Sequence, residues 1–365
     1  MIKISTAPLA PNTVLSDLCV CKHVHYGTMI ISRMNLKSLD AISPHPHLHK
    51  VVASHNQLVE ISAVEQLEDL LYLDVSYNNI TDLSFYPLIL EVLHASHNHL
   101  TSFISFNAPM LTELDLSHNE ISSISDLHLP CLRYLDLSNN NLKNTKFVQS
   151  LPALRHLNLS HNELTAIPPI MTHPDLDTLN LSFNKLSNLG NLVQLFSLRN
   201  LDLSYNNLGD LHDTIESLKD VSFLNMLDVR GNPFSEPDSL IAYFAAILPS
   251  PSPLDIHGNQ SMDQNITIPE LIDPSAFTVS DNESKGAGLS SPIPDIHRQS
   301  SPAMFSKGSF LPQNARMGLL RERFREEFLV CLPLLVKLDG VDISAEEKVL
   351  AINHKSISAY IPPTI

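Results

Sequence analysis

Imidazole and phenol side chains recur along the sequence at a nearly constant interval, and they are the residues best suited to chemistry. The recurring position holds His55, Tyr77, His97, His118, Asn139, His161, Phe183 and Tyr205. Imidazole titrates near neutral pH and binds metals, so a stacked row of histidines is a candidate metal site or pH sensor. Metal sites usually add a carboxylate or a cysteine and a second shell of hydrogen bonds. Because this row mixes histidine with tyrosine and phenylalanine, we interpret it as packing between adjacent turns.

The sequence contains no motif typical of an enzyme active site. There is no G-x-S-x-G segment, and the ten glycines form no loop that would cradle a phosphate group. Carboxylates are frequent, but no pattern marks any of them as having a perturbed pKa. Cys19 and Cys21 form only a C-x-C pair, which favours two small residues at a capped edge over metal ligands. We therefore expect no catalytic residue, no metal and no cofactor.

An asparagine follows each member of this row and defines an internal repeat. The clearest copy, Leu176 to Asn184, reads LDTLNLSFN and is followed by Leu186, so it matches L-x-x-L-x-L-x-x-N-x-L. This spelling is identified as a leucine-rich repeat. The asparagines lie 20 to 26 residues apart, and we predict that they form a structural ladder; they are Asn56, Asn78, Asn98, Asn119, Asn140, Asn162, Asn184, Asn206 and Asn232.

Each repeat predicts one short β-strand followed by a turn. Alternation in segments such as LDL puts two apolar side chains on one face and a polar side chain on the other. The asparagine amide has two donors and an acceptor for backbone groups of the turn. Segments between strands, such as 121–131 and 164–175, are too short and too rich in Ser, Pro and β-branched residues for full helices. The fold class is therefore an α/β solenoid, a right-handed leucine-rich-repeat superhelix with a parallel sheet on the concave face and 3₁₀ or extended segments on the convex face.

The polar strand positions predict a continuous binding surface, because stacked strands lie only about 4.8 Å apart. Aromatic and arginine side chains most often dominate binding, so Tyr72, Tyr134, Arg133, Arg155 and Met226 are the expected anchors. The alternative is that aspartate in LDL is only the usual spelling of the repeat. The predicted partner-binding residues are Tyr72, Asp74, His94, Glu113, Asp115, Arg133, Tyr134, Asp136, Arg155, His156, Asn158, Asn180, Arg199, Asp202, Met226 and Asp228.

Composition divides the chain into four predicted regions. Residues 1–25 form an N-terminal cap with a short helix near Thr13 to Val20, and residues 26–259 form the solenoid of about ten repeats. The first repeat, at Met29, Ile31 and Leu36, lacks the asparagine. The Ser- and Pro-rich residues 260–316 are predicted to be a disordered insertion. Residues 317–365 form the C-terminal cap.

Two helices are expected towards the end of the solenoid and two more in the C-terminal cap. A short helix near Thr214 to Asp220 fits the longest interval between asparagines, and apolar spacing predicts another at Ser235 to Leu248, capped by Asp238 or Ser239. The segment 252–259 imitates a further strand and turn. The cap should begin with an amphipathic helix carrying Leu320, Phe324, Phe328 and Leu329, and Ser344 and Glu347 form the capping box of its last helix.

The segment LPLLVKLDGVDISAEEK, residues 332–348, resembles the C-terminal cap of cytoplasmic leucine-rich-repeat proteins with mostly 22-residue repeats. That family includes the leucine-rich-repeat regulatory subunit of protein phosphatase 1, ciliary leucine-rich-repeat proteins and a spliceosomal subunit. The resemblance covers residues 26–259 and 319–350 and implies a protein partner held on the concave face. Residues 219–223 also fit the K-x-V-x-F pattern of phosphatase-docking peptides, but we interpret Val221 and Phe223 as core residues.

Composition favours a reducing compartment and a protein partner. The sequence has 365 residues, four scattered cysteines and a net charge of −16, and no secretory signal or long apolar span is visible. The negative charge argues against direct binding of nucleic acid or of an anionic membrane. We expect a monomer in the cytoplasm, with the nucleus, cytoskeleton or cilium as further sites.

The function favoured by the sequence is non-enzymatic binding of a folded partner, either a phosphatase catalytic subunit or a cytoskeletal or axonemal component. One alternative is a spliceosomal-type subunit that holds an RNA-binding protein. Another is an architectural repeat protein without a dedicated partner. Phosphorylation of the insertion, at Ser291 or Ser301 before proline, is a further possibility.

Overall fold

The computed structural model describes residues 27–42, 45–170, 173–190, 192, 195–221, 223–247 and 313–359. The predicted N-terminal cap, the imitated strand at 252–259 and the insertion up to residue 312 therefore lie outside the described residues. The chain divides into two compact units, one of Met1–Glu236 with Arg325–Ile365 and one of Pro237–Phe324. The first unit contains the repeats.

A 12-stranded sheet runs through the repeats, and its first eleven strands are parallel. Adjacent repeats supply adjacent strands, which is the predicted solenoid with the sheet on its concave face. The strands of the repeats are β1 Thr28–Ile30, β2 Lys50–Val52, β3 Tyr72–Asp74, β4 Val92–His94, β6 Glu113–Asp115, β8 Tyr134–Asp136, β9 His156–Asn158, β10 Thr178–Asn180, β11 Asn200–Asp202 and β12 Met226–Asp228. The first repeat, which lacks the asparagine, still contributes β1.

In the main sheet, the middle residue of each three-residue strand faces the core, and the two residues beside it face outwards. Leu73, Leu114 and Leu179, for example, are buried between flanking residues that are partly exposed. Burial of one such leucine contributes about 1.5 to 3 kcal/mol. Because one turn alone cannot cover its own apolar edge, this contribution depends on the neighbouring turns.

The asparagine side chains connect each turn to the one before it. Asn162 Nδ2 donates to the carbonyl of Leu159 in its own turn at 3.1 Å and to that of Leu137 in the previous turn at 2.9 Å. Its Oδ1 accepts the Leu142 N–H at 3.0 Å. The other asparagines of the ladder repeat this set of bonds, from Asn56 to Asn232. Each amide therefore satisfies buried backbone groups of two turns.

Short and irregular segments form the convex face, as predicted. The 3₁₀ helices are Asp40–Ile42, Ser62–Gln66, Lys146–Ser150 and Pro233–Ser235. Strands β5 Ser102–Ile104 and β7 Ser123–Ser125 pair in a second, two-stranded parallel sheet. Phe103 of β5 and Phe106 are both buried, and their ring centroids lie 4.8 Å apart.

Helix α1, Leu211–Leu218, occupies the longest repeat and begins three residues before the predicted start. The helix begins there because Asp210 is its N-cap residue. The Asp210 side chain accepts the Asp213 N–H at 3.0 Å. Val221 is buried, but Phe223 is 52% exposed, so the prediction that Phe223 is a core residue is wrong. Because Val221 is buried in the repeat, residues 219–223 are not presented as a free docking peptide.

Helix α2, Pro237–Ile247, lies within the predicted helical segment and buries Leu240 and Phe244. Its predicted caps are wrong, because Pro237 takes the first helical position and places Asp238 inside the first turn. Helix α3, Gln313–Cys331, begins four residues before the boundary at 317 that composition indicated. None of the helices in the described part of the chain is long and apolar enough to cross a membrane.

The end of the chain supplies the last strands of the main sheet. Strand β13, Lys337–Leu338, pairs in parallel with β12, and β14, Val341–Asp342, turns back antiparallel to β13. The sheet position beside β12 is therefore taken by β13. Helix α4, Ala345–Ala359, follows, and its capping residue Ser344 accepts the Glu347 N–H at 3.1 Å.

Asp339 marks the point where the regular ladder ends. In earlier turns the N–H after the strand donates to a main-chain carbonyl, as Leu203 does to Asp228 at 2.8 Å. The Val229 N–H instead donates to Asp339 Oδ1 at 2.9 Å. Burial, together with the negative charge of Asp228, raises the pKa of Asp339 to about 6. The Val229 N–H, Arg230 and Arg325 act in the opposite direction and lower this pKa. The carboxylate thus substitutes for a carbonyl in a site that disfavours its charge.

We expect Asn206→Ala to destabilise the solenoid by about 2 to 4 kcal/mol, since it leaves a buried N–H and several carbonyls without partners. Asn207→Ala is the matched control, because Asn207 is exposed and its side chain makes no hydrogen bond in the described structure. Urea unfolding followed by circular dichroism measures the difference. Equal stability of the two variants would contradict the ladder as a source of stability.

We expect Asp339→Asn to stabilise the protein at neutral pH. A carboxyl pKa raised from 3.8 to about 6 on folding contributes stability below pH 3.8 that is lost as the pH rises through 6. Asparagine keeps the acceptor without the charge, so the gain is about 1 to 3 kcal/mol near pH 7 and disappears near pH 4. Thermal midpoints at both pH values check this, with the exposed Asp342→Asn as the control. A lower midpoint of Asp339→Asn at neutral pH would refute the explanation.

Candidate functional site

The strand register places the predicted surface residues in two straight columns on the concave face. Residues that begin strands lie opposite one another, so Tyr72 lies beside Val92 and Tyr134 lies beside His156. Residues that end strands form the second column, and we call it the acidic column: Asp74, His94, Asp115, Asp136, Asn158, Asn180, Asp202 and Asp228. Side chains far apart in the sequence thus share one surface.

Most members of the acidic column have a structural task. In seven members, the side-chain Oδ1 accepts the backbone N–H of the residue two positions later, at 2.8 to 3.1 Å. These members are Asp74, Asp115, Asp136, Asn158, Asn180, Asp202 and Asp228. This bond closes the turn that leaves the strand, and asparagine makes it as well as aspartate does. The repeated bond accounts for the spelling LDL or LNL, and it leaves one oxygen of each aspartate available for other contacts.

A chain of side-chain contacts crosses the first strands of the face. The Lys50 ammonium lies over the Tyr72 ring, 3.6 Å from its centroid, and the Tyr72 hydroxyl lies 3.3 Å from His94 Nδ1. His94 Nε2 lies 2.9 Å from Glu113 Oε1. Burial, with Asp74 and Glu113, raises the pKa of Tyr72, so the phenol stays protonated. These contacts hold Tyr72 in one orientation before any partner binds.

The middle of the face combines an exposed aromatic ring with polar neighbours. Tyr134 is 38% exposed, and its ring centroid lies 6.2 Å from that of His156. Burial raises the pKa of Tyr134, and Asp136 adds to the effect. The Asn158 amide donates to Asp136 Oδ2 at 2.9 Å. Tyr134 therefore presents a neutral ring beside a carboxylate that already has partners.

Three arginines flank the strands, but they are not equivalent. Arg199 lies 3.7 Å from Asp177, whereas Arg133 and Arg155 form no ion pair with any residue that the structure describes. At the far end of the face, Met226 is 45% exposed and Asp228 is held by Arg230. The sequence prediction did not include Lys50 or Arg230. The position of Lys50 at the start of its strand would have identified it.

The His, Tyr and Phe row forms a stack along one edge of the turns, and we call it the ring column. Centroids lie 4.0 Å apart for His97 and His118 and 4.3 Å apart for Phe183 and Tyr205. Every member has a positive φ of 53° to 56°, which costs free energy in a residue with a side chain. Stacking contributes about 0.5 to 1.5 kcal/mol for a ring pair and offsets this cost.

The ring column ends at Gly231. Gly231 has a φ of 68°, and the Tyr205 ring covers it. A Cβ atom at position 231 would lie only 2.5 Å from Tyr205 Cδ1. Among the described residues, no group of three or more His, Cys, Asp or Glu side chains is placed to hold a metal ion. The ring column therefore packs successive turns against one another.

We expect His97→Tyr to reduce the loss of stability on acidification. Burial, then His118 and His55, lower the pKa of His97 below its ordinary value of 6.5, while Asp115 opposes them. The folded state favours the neutral form of His97. The contribution of His97 to the stability of the fold is therefore present above pH 6.5 and is lost as the pH falls below 6.5. Thermal midpoints between about pH 7 and pH 5 test this. His212→Tyr, at an exposed position of helix α1, is the control. Equal acid sensitivity of His97→Tyr and the wild type would disprove the effect.

Solved structures with similar folds are repeat proteins. An internalin (InlF) from Listeria monocytogenes is 24% identical, with a TM-score of 0.48 over 56% of this chain and 60% of that chain. A chain of the LRIM1/APL1C complex is 29% identical, with a TM-score of 0.51 over 56% of this chain and 39% of that chain. The aligned part is thus less than two thirds of either structure. A search of curated proteins finds no significant match.

Family models match four segments of the repeats. The model described as "Leucine Rich repeats (2 copies)" matches residues 109–150 and 152–194. Two single-repeat models match residues 197–218 and 66–84. All four segments lie where the structure has consecutive strands of the main sheet. The chain therefore carries leucine-rich repeats and folds as a leucine-rich-repeat solenoid.

Proposed function

We propose that this chain is a non-enzymatic interaction module that binds a folded protein partner on the concave face of its solenoid. The observation that carries the proposal is the strand register, which aligns outward side chains of successive repeats into one surface. Tyr72, Tyr134, Arg133, Arg155 and Met226 on this surface are of the types that most often dominate protein binding. These residue types beside one aligned surface support the proposal.

The comparisons support a binding role and leave the partner as a proposal. The LRIM1/APL1C structure, in which a chain with a similar fold occurs, is itself a complex. The resemblance of the C-terminal cap favours a phosphatase catalytic subunit or a cytoskeletal or axonemal protein as the partner. Cys131 is an exposed free thiol, which supports a reducing compartment such as the cytoplasm.

A spliceosomal-type RNA-binding protein is the alternative partner. In Asp74, Asp115 and Asp202 the turn bond uses Oδ1, and the negative charge of these three carboxylates would repel a phosphate backbone. Contact with the protein component of such a particle is therefore favoured over contact with RNA. An architectural role without a dedicated partner remains the simplest competing function.

Affinity purification with the full chain tests the concave face. We expect Tyr72→Ala with Tyr134→Ala to reduce the amount of the principal co-purifying protein at least about tenfold, because loss of a central aromatic anchor costs roughly 2 kcal/mol or more. Tyr86→Ala is the matched control, since Tyr86 is 73% exposed and lies outside the strands of the main sheet. Quantitative mass spectrometry measures the recovered protein.

The identity of the recovered protein separates the partner classes. A phosphatase, a tubulin-associated protein or a splicing protein would each select one of them. Unchanged recovery with the double variant, at an unchanged thermal midpoint, would rule out the concave face as the binding surface. Equal loss with Tyr86→Ala would likewise place binding elsewhere.

A further inference from the structure

Arg133 and Arg155 are neighbours on the concave face and we call them the arginine pair. They immediately precede β8 and β9, and the Arg155 and His156 N–H groups both donate to the Arg133 carbonyl at 2.9 Å. Adjacent parallel strands lie about 4.8 Å apart, so the two side chains leave the sheet side by side. Both residues are exposed, and neither guanidinium has a hydrogen-bond or ion-pair partner in the described part of the chain.

The acids around the arginine pair already have partners of their own. Asp177, next in the flanking column, lies 3.7 Å from Arg199 and accepts the Thr178 hydroxyl at 3.0 Å. Glu113 is paired with His94 at 2.9 Å. Asp136 accepts the Ser138 N–H at 2.8 Å and the Asn158 amide at 2.9 Å. The structure thus directs its neighbouring carboxylates to other donors.

The acidic column is too distant to neutralise the pair. Asp136 follows Arg133 by three residues of extended chain, which is about 10 Å. Charges exposed to solvent are largely screened beyond about 8 Å at physiological ionic strength. Tyr134 and His156 lie between the pair and the acidic column, with their rings 6.2 Å apart. The two cations therefore form a positive subsite that is separate from the acidic column.

Two adjacent guanidinium groups repel each other, and a carboxylate that binds both removes this repulsion. Each guanidinium also offers paired N–H donors that match the two oxygens of a carboxylate. In an extended peptide, alternate side chains on one face are about 7 Å apart, within reach of two flexible arginines. Tyr134 supplies an apolar surface for the aliphatic part of a glutamate or aspartate beside them.

We propose that the arginine pair binds carboxylate side chains of an acidic segment in the protein partner, with Tyr134 as the neighbouring contact. This inference rests on the proposed function and specifies the chemistry of the partner at that face. The inference also predicts how the partner is oriented on the concave face. The acidic segment of the partner contacts the arginine pair, and basic groups of the partner contact the acidic column.

The test uses the full chain and a fluorescein-labelled peptide of alternating glutamate and glycine, with an alternating glutamine and glycine peptide beside it. Fluorescence anisotropy should show binding of the glutamate peptide and at least about tenfold weaker binding of the glutamine peptide. We expect Arg133→Glu with Arg155→Glu to weaken binding at least tenfold, and the paired change to lysine to weaken it less. Lys146→Glu is the matched control, since Lys146 is exposed on a convex 3₁₀ helix.

Several results would overturn the inference. These are equal binding of the two peptides, no binding of the glutamate peptide to the wild type, or unchanged binding to the glutamate variants. Binding only of a matched peptide with phosphoserine in place of glutamate would also overturn it, since it would assign a phosphate site. Recovery of the principal partner distinguishes the two proposals: if it falls with the tyrosine variants but not with Arg133→Glu and Arg155→Glu, the face binds a protein and only the acidic segment is refuted.

Discussion

The hydrogen bonds of the asparagine ladder are the constraint on which the rest of the solenoid depends. Each amide serves one carbonyl of its own turn, one carbonyl of the previous turn and one N–H of the previous turn, as Asn184 does with Leu181, Leu159 and Leu164. These groups are buried, so leaving them unpaired costs about 1 to 3 kcal/mol each. The bonds can all form only if successive turns follow one another at the spacing of adjacent strands, and the ladder therefore sets the register of the sheet.

The same constraint explains much of the surface. The turn around each asparagine requires a left-handed residue just before it, and stacked rings occupy that position through most of the repeats. At the end of most strands in the repeats, an aspartate or asparagine closes the turn by accepting a backbone N–H. Recurrence of a charged residue in a repeat is thus weak evidence for binding, because the fold already uses it. Residues that differ from repeat to repeat, such as Tyr134, Arg155 and Met226, are better candidates for recognition.

The C-terminal end shows how the ladder is terminated. Strand β13 adds to β12, and the Asp339 carboxylate accepts the N–H that a main-chain carbonyl accepts in earlier turns. Helix α3 precedes the final hairpin and α4 follows it. The Arg325 side chain of α3 donates to Glu347 of α4 at 2.7 Å and so joins the two helices. A hairpin with a buried acceptor can thus close a parallel sheet whose next repeat is missing.

The sequence by itself determined the repeat, the buried middle residue of each strand and the two outward columns. It could do so because strand alternation and the spacing of the asparagines are local properties that recur in every repeat. Only the tertiary structure decided which arginines are paired, that Phe223 is exposed, and that β13 lies beside β12 although Val229 and Asp339 are 110 residues apart. Those features depend on which side chains and strands become neighbours across turns, and the spacing of residues within one repeat does not contain that information.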